Sequence, residues 1–293
     1  MIRKMYLAVL ALGVLSVSCS NDDDDATSQQ PQTSALTLNL SGLEALGDDF
    51  VYEGWIIVDG SPVSTGTFSD VSFPKTFQVL SDQLASASTF VLSIEPALDL
   101  DPAPAATKIL AGDFVDSSAN VNSNLVADFS AAAGTFILAT PTDADNTNEE
   151  SGVWFLDNTT GTAVAGLDLP TLSDGWVYEG WAVINGTPIS TGTFTDPALA
   201  DANAASSPYK GDLGNGPSYP GEDYLQNAPD GFDFPTDLRG KTIVISVEPS
   251  PDNSTAPFTL KPLLQTVATD AAVHTPITMG VGPVQTLTGT VTR

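Results

Sequence analysis

Apolar and polar residues alternate with a period of two along much of the chain beyond residue 34. Leu36-Thr37-Leu38-Asn39-Leu40 and Phe90-Val91-Leu92-Ser93-Ile94 are two such runs, and this period places alternate side chains on opposite faces of a strand. Turn chemistry falls between the runs, as in Asp59-Gly60-Ser61-Pro62 and Asn185-Gly186-Thr187-Pro188. Asp-Gly and Asn-Gly between apolar segments predict hairpins, because both residues tolerate positive φ. No long stretch has a helical period; residues 80–88 predict a short helix or turn. The 24 glycines and 21 prolines, with only nine Lys and Arg, agree with an all-β chain.

The pattern occurs twice. Residues 50–68 read FVYEGWIIVDGSPVSTGTF and residues 176–194 read WVYEGWAVINGTPISTGTF, identical at twelve of nineteen positions. Further on, TFVLSIEP at 89–96 returns as TIVISVEP at 242–249, and Pro104 and Lys108 return as Pro257 and Lys261. The first blocks lie 126 residues apart and the later ones 153, so the second copy carries 27 extra residues. These fall within 195–237, a stretch rich in Gly, Pro, Asp and Asn. Several short strands with regular turns predict a β-sandwich of Ig-like type in each unit. The expected units are 35–142 and 143–293, cut at the polar run DADNTNEES of residues 143–151.

Within 51–58, period two puts Tyr52, Gly54, Ile56 and Val58 on one face and Val51, Glu53, Trp55 and Ile57 on the other. Both faces are largely apolar, which predicts a central strand. Gly54 leaves room for an aromatic ring over the backbone or marks a bulge. Gly66 and Gly192 suit a further turn or bulge. The repeated framework set is Tyr52, Glu53, Trp55, Glu95 and Pro96, with Tyr178, Glu179, Trp181, Glu248 and Pro249. If the two glutamate strands of a unit are neighbours, their carboxyls approach and one is held protonated at higher pH. Paired carboxylates are also the apparatus of glycosidases, but a pair repeated in both units reads first as inherited framework.

The N-terminus has a separate character. Arg3 and Lys4 precede an apolar run at 7–17 that is about half the roughly twenty residues needed to cross a bilayer, which suits a signal peptide over 1–18. It ends in LSVSC, with the chain's single cysteine, Cys19. This resembles a bacterial lipoprotein signal with Cys19 as the lipidated residue, although Ser16 occupies the position where leucine is usual. Lipidation would anchor the chain in the membrane of a bacterial cell envelope, most simply the outer membrane. Residues 19–34, including the four aspartates at 22–25, read either as a solvated acidic tether or as a surface-export mark. Seven basic residues stand against 36 acidic ones after Cys19. A nucleic-acid partner is thereby excluded, since phosphates require Lys and Arg.

Other chemistry is sparse. His274 is the only histidine, there is no Gly-x-Ser-x-Gly elbow, and zinc or copper lacks ligands. Asp143-Ala-Asp145-Asn-Thr147 begins like a calcium loop, but Asn148 replaces the needed glycine and Trp154 the twelfth-position glutamate. That rejects an EF-hand and leaves a casual calcium site in this linker or in 195–237 as the one metal option. The expectation is therefore no catalytic residue, no cofactor and no dedicated metal centre.

The order of motifs resembles the extracytoplasmic C-terminal domain of RskA-type anti-sigma-K factors. The positions carrying it are Leu169, Pro170, Tyr178, Trp181, Pro188, Gly192, Phe194, Val247, Glu248 and Pro249, and in the first copy Tyr52, Trp55, Pro62, Gly66, Phe68, Ile94, Glu95 and Pro96. The family's usual Gly-Gly after Glu-Pro is replaced by Ala97-Leu98 and Ser250-Pro251. Anti-sigma factors of this type also carry a cytoplasmic sigma-binding segment and a membrane-spanning helix, and neither is recognisable here. The resemblance implies a duplicated, RskA-like sensing or binding module on a lipid anchor, without sigma-binding capacity and not an enzyme. Its expected partner is an envelope protein or glycan. The alternatives are a secreted hydrolase using the strand glutamates, or a purely structural surface protein.

Overall fold

Asp59 and Gly60 adopt φ of 50° and 78°, and Asn185 and Gly186 adopt 53° and 86°. The two hairpins thus close through the left-handed two-residue turns that their Asp-Gly and Asn-Gly pairs select. They belong to a computed structural model that describes residues 31–251 and 254–293. Cys19, the signal segment and most of the acidic tether lie outside the described residues.

The first strands are β1 (Thr33–Ser41), β2 (Phe50–Val58), β3 (Ser61–Phe68), β4 (Lys75–Leu80), β5 (Thr89–Pro96), β6 (Lys108–Val115) and β7 (Ser118–Asn122). The short helix α1 (Ser81–Ser86) stands between β4 and β5, where a helix or turn was expected. A middle group comprises β8 (Ala133–Leu138), β9 (Gly152–Trp154), β10 (Leu156–Asp157), β11 (Val164–Ala165) and β12 (Leu167–Asp168). The second copy supplies β13 (Trp176–Ile184), β14 (Thr187–Phe194), β15 (Gly221–Asp223), β16 (Thr242–Pro249) and β17 (Lys261–Thr266). Three short strands follow: β18 (Ile277–Thr278), β19 (Gly280–Val284) and β20 (Thr288–Thr292).

The largest sheet has the order β3-β2-β5-β6-β7-β20-β1-β4, and its end strands approach through Phe68, whose ring lies 6.0 Å from that of Phe77. The second copy forms a sheet β14-β13-β16-β17-β19, with the same hairpin and Glu-Pro strand in the same order. Registers match residue for residue. Tyr52 faces Phe68 and Tyr178 faces Phe194, and both ladders slip at the same place, between Gly54 and Trp55 and between Gly180 and Trp181. The small strands β12, β8, β9 and β15 form a third sheet.

The slip explains the glycines. A Cβ on Gly54 would lie 2.5 Å from Thr65 Oγ1 and 3.2 Å from the Phe90 ring, and one on Gly180 2.3 Å from Thr191 Oγ1 and 2.7 Å from the Phe155 ring. Both expected roles, bulge and space for a ring, are therefore met at once. Gly66 and Gly192, at φ of 119° and 120°, complete the bulge on the partner strands. Tyr52 and Tyr178 are fully buried and stack on Phe68 and Phe194 at 5.4 and 5.5 Å. Each such pair contributes about 0.5–1.5 kcal/mol beyond its buried area.

The all-β class holds, but the copies are not successive bodies. Thr33–Arg293 forms one compact unit. The strand β20 leaves the C-terminal end to lie between β7 and β1 of the first copy's sheet, pairing with both. A single cluster of buried side chains takes in Leu36, Tyr52, Tyr178 and Val291. The expected cut at 142 separates strands that share a ladder, so the units 35–142 and 143–293 are interleaved. The tether also ends sooner than 34, since β1 starts at Thr33.

Candidate functional site

The framework residues build the same device in each copy. Tyr52 donates its hydroxyl to Glu44 O at 2.8 Å, and Tyr178 does so to Pro170 O at 2.5 Å, eight residues back in both cases. Alternation along β2 and β13 puts the next indole on the opposite face. There Trp55 donates to Ser93 Oγ at 2.8 Å and Trp181 to Ser246 Oγ at 2.7 Å. Each serine hydroxyl donates in turn to the glutamate two residues on, Ser93 to Glu95 and Ser246 to Glu248. Each glutamate then accepts a backbone N–H from the following loop: Ala105 at 2.8 Å from Glu95 Oε1, and Phe258 at 2.9 and 3.1 Å from the two oxygens of Glu248. Lys108 and Lys261 hold those loops by donating to Ala105 O and Phe258 O. Pro96 and Pro249 close the glutamate strands opposite Phe50 and Trp176.

Glu53 and Glu179 accept from Ser64 and Ser190 on the neighbouring strand. Because β2 pairs with β5, Glu53 lies opposite Ser93 and Val51 opposite Glu95. The glutamate strands are thus neighbours, as the paired-carboxylate reading required. Burial raises the pKa of Glu95; the bonds from Ser93 and Ala105 oppose this, and the charges of Glu53 and Asp99 add to it. Glu53, Trp55 and Glu95 line a surface cleft of about 410 Å³.

The copies come together at a second, larger space. Gly175, at φ of 87°, brings its backbone so close to Ala106 and Thr107 that a Cβ would lie 2.7 Å from Thr107 N. Beside this contact, Trp176 donates to Lys108 O at 3.3 Å. A cavity of about 460 Å³ opens between the loop after β1 and the Glu-Pro ends of β5 and β16, lined by Leu46, Phe50, Ile94, Thr107, Pro249 and Phe258 among others. This is an ordinary size for a small-ligand site.

The insertion at 195–237 covers the outer edge of β14: Ala202 N–H donates to Thr193 O at 2.8 Å and the Tyr224 hydroxyl to Ile189 O at 3.1 Å. It brings in three carboxyls that sequence reasoning did not single out. Asp201, Glu222 and Asp223 are all buried, and burial raises them to about 6, 8 and 6. Asp223 accepts from Trp154 Nε1 at 2.6 Å and from Thr142 N at 2.9 Å, and Glu222 accepts from Ser207. In the sequence these acids sit in a Gly/Pro-rich run that reads as solvated loop; only the size of the insertion drew notice to it.

Asp143 and Asp145 accept N–H bonds from Asp145 and Thr147, two residues on in each case. Among the described residues no group of three or more His, Cys, Asp or Glu side chains is placed to hold a metal ion. His274, with a half-exposed side chain, lies 3.3 Å from Glu149. No helix among the described residues is long and apolar enough to cross a membrane.

With this geometry in place, comparison with protein-family models matches residues 5–109 to the C-terminal domain of the anti-sigma-K factor RskA. The match supports an RskA-like domain in the first part of the chain and takes in the first hairpin and its Glu-Pro strand. It is narrower than the two-copy resemblance read from the motifs, since the second copy lies beyond it. No curated protein and no solved structure matches the chain.

Proposed function

We propose that this protein is a non-enzymatic, lipid-anchored module of the bacterial cell envelope, in which two RskA-like copies together bind or sense an envelope protein or glycan. The observation that carries this reading is the 460 Å³ cavity at the junction of the copies. It lies where two equivalent strand ends converge, so a ligand there engages both at once. The serine and backbone donors on Glu95 and Glu248 support a framework role for those carboxyls. Anchoring through Cys19 and placement at the outer membrane belong to the same proposal, resting on the signal-like N-terminus and on the extracytoplasmic character of the RskA domain.

The test is affinity capture from the protein's own envelope, comparing the intact lipoprotein with Ala45→Trp, which fills the cavity from its rim. Recovery of a component by the wild type and its loss in the variant supports the reading. Recovery of nothing above control overturns it. A second reading, a hydrolase using Glu53 and Glu95, draws on their shared cleft. Glu53→Gln and Glu95→Gln separate the two: lost stability marks framework, while intact folding with a lost hydrolytic activity marks catalysis.

A further inference from the structure

We propose that the insertion carries a calcium site, in which Asp201 Oδ1 and Asn203 Oδ1 ligate the ion beside Gly192 and so fasten the insertion to the edge of β14. Two buried oxygens without a donor point to it. Asp201 is 6% exposed, and its Oδ2 accepts Gly221 N–H at 3.0 Å, but its Oδ1 is buried and accepts no hydrogen bond. The backbone N–H groups of Asn203 and Ala204 face this carboxylate and temper the effect of burial on it, yet none bonds to Oδ1. Asn203 Oδ1 is buried without a donor as well. The two side chains converge in the space that a missing side chain leaves. A Cβ on Gly192 would lie 1.8 Å from Asn203 Oδ1 and 2.8 Å from Asp201 Cγ. Two acceptors drawn from water onto one spot are costly unless a positive group joins them.

The surroundings supply no such group from the chain itself. Buried Glu222 lies near enough for its charge and that of Asp201 to act on each other. Among the described residues, neither carboxyl forms an ion pair with Lys, Arg or His. Buried charges are ordinarily paired or metal-bound, and here the metal remains. Carboxylate and amide oxygens, with no nitrogen or sulfur, suit a hard cation. Calcium accepts an irregular oxygen shell completed by water, whereas magnesium demands a near-octahedral one. The set is one carboxylate and one amide with Glu222 as a nearby charge, not a cluster of three acidic ligands. So low a ligand charge predicts weak affinity, with Kd about 10⁻⁴–10⁻³ M. The first copy has no counterpart, because the Phe77 ring occupies the place beside Gly66.

The experiment is calorimetric titration of the full chain with calcium chloride, after removal of metals with EDTA, together with thermal unfolding at the same calcium concentrations. At about pH 8 Asp201, raised to about 6 by burial, is ionised. The expected result is saturable binding and a thermal midpoint that climbs with calcium. Asp201→Asn should lose about tenfold or more of the affinity, and Asn203→Asp, which adds a carboxylate, should gain about tenfold. The gain in Asn203→Asp tests the site even if Asp201→Asn fails to fold. Absence of saturable binding, magnesium bound as tightly as calcium, or undiminished affinity in Asp201→Asn overturns the proposal. So does an Asn203→Asp variant destabilised equally with and without calcium, which means that the Asn203 amide serves Asp201 as a donor. Asp143→Asn/Asp145→Asn, in the polar run between β8 and β9, should bind calcium as the wild type does; a loss there moves the ion to that run and overturns the proposal as well.

Discussion

The two hairpins share ladder partners from Tyr52 and Tyr178 to Val58 and Ile184, including the slip after the glycine, yet they are enclosed to different depths. Glu179 is 5% exposed where Glu53 is half-buried, while Glu95 and Glu248 are both buried and the loop residue bonded to each differs, Phe258 buried and Ala105 half-buried. Ile189, Gly192 and Phe194 are buried where Val63, Gly66 and Phe68 are half-buried. The difference traces to what lies over the edge strand. In the first copy Phe77 of β4 stands against Gly66; in the second, Asn203 and Asp201 of the insertion stand against Gly192. One ladder thus supports two surfaces, an open acidic one and one closed by its own insertion.

The comparison can be broken most sharply at the clamped glutamates. Glu248→Ala leaves Phe258 N–H and Ser246 without acceptors in a fully buried place and should cost about 3 kcal/mol, against about 1–2 kcal/mol for Glu95→Ala. Denaturant unfolding of both variants measures the difference, and equal losses would show that the copies are equally enclosed. The glycines come next. Gly180→Ala meets Thr191 Oγ1 and the Phe155 ring at shorter range than Gly54→Ala meets Thr65 and Phe90. Expected costs are about 3 and about 1–2 kcal/mol, within the usual range for overpacking.

The insertion adds to the raised Glu95 of the first copy three raised carboxyls of its own. Asp201, Glu222 and Asp223 have folded pKa values near 6, 8 and 6, above the roughly 4 of an unfolded carboxyl. The folded state therefore binds more protons, so their stabilising contribution is full below about pH 4 and is lost as pH rises through 6 to 8. Thermal midpoints across pH 5 to 9 should fall less in Glu222→Gln than in the wild type. Identical slopes would remove Glu222 from the account. The smallest expected effect is at the turns, where Asp59→Ala and Asn185→Ala each place alanine at positive φ. Each should cost about 1 kcal/mol, and the two should agree because neither turn touches the insertion.

Much of this was readable from local chemistry. Asp-Gly and Asn-Gly specify their turns within two residues, and the Tyr/Gly/Ile alternation specifies a buried face, so hairpin, register and bulge follow from short windows. What escaped depended on distant partners. TGTVT at 288–292 is an ordinary alternating run, and nothing in it names β1 and β7 as neighbours. The polar run at 143–151 reads as linker, yet Glu149 accepts from Thr140 N and Glu150 from Leu238 N through its carbonyl. Glu222 and Asp223 look like solvated loop residues because burial by Trp154, Thr142 and Ser207 arises only after the third sheet has formed.

The seat of β20 between β7 and β1 bears on how the molecule is made. Until residues 288–292 are available, the first-copy sheet lacks the strand that joins its two parts. Contacts spanning more than two hundred residues make for slow folding. The same placement puts the quality control of the first copy at the far end of the polypeptide: a product lacking its last six residues loses the keystone of a sheet that starts at Thr33.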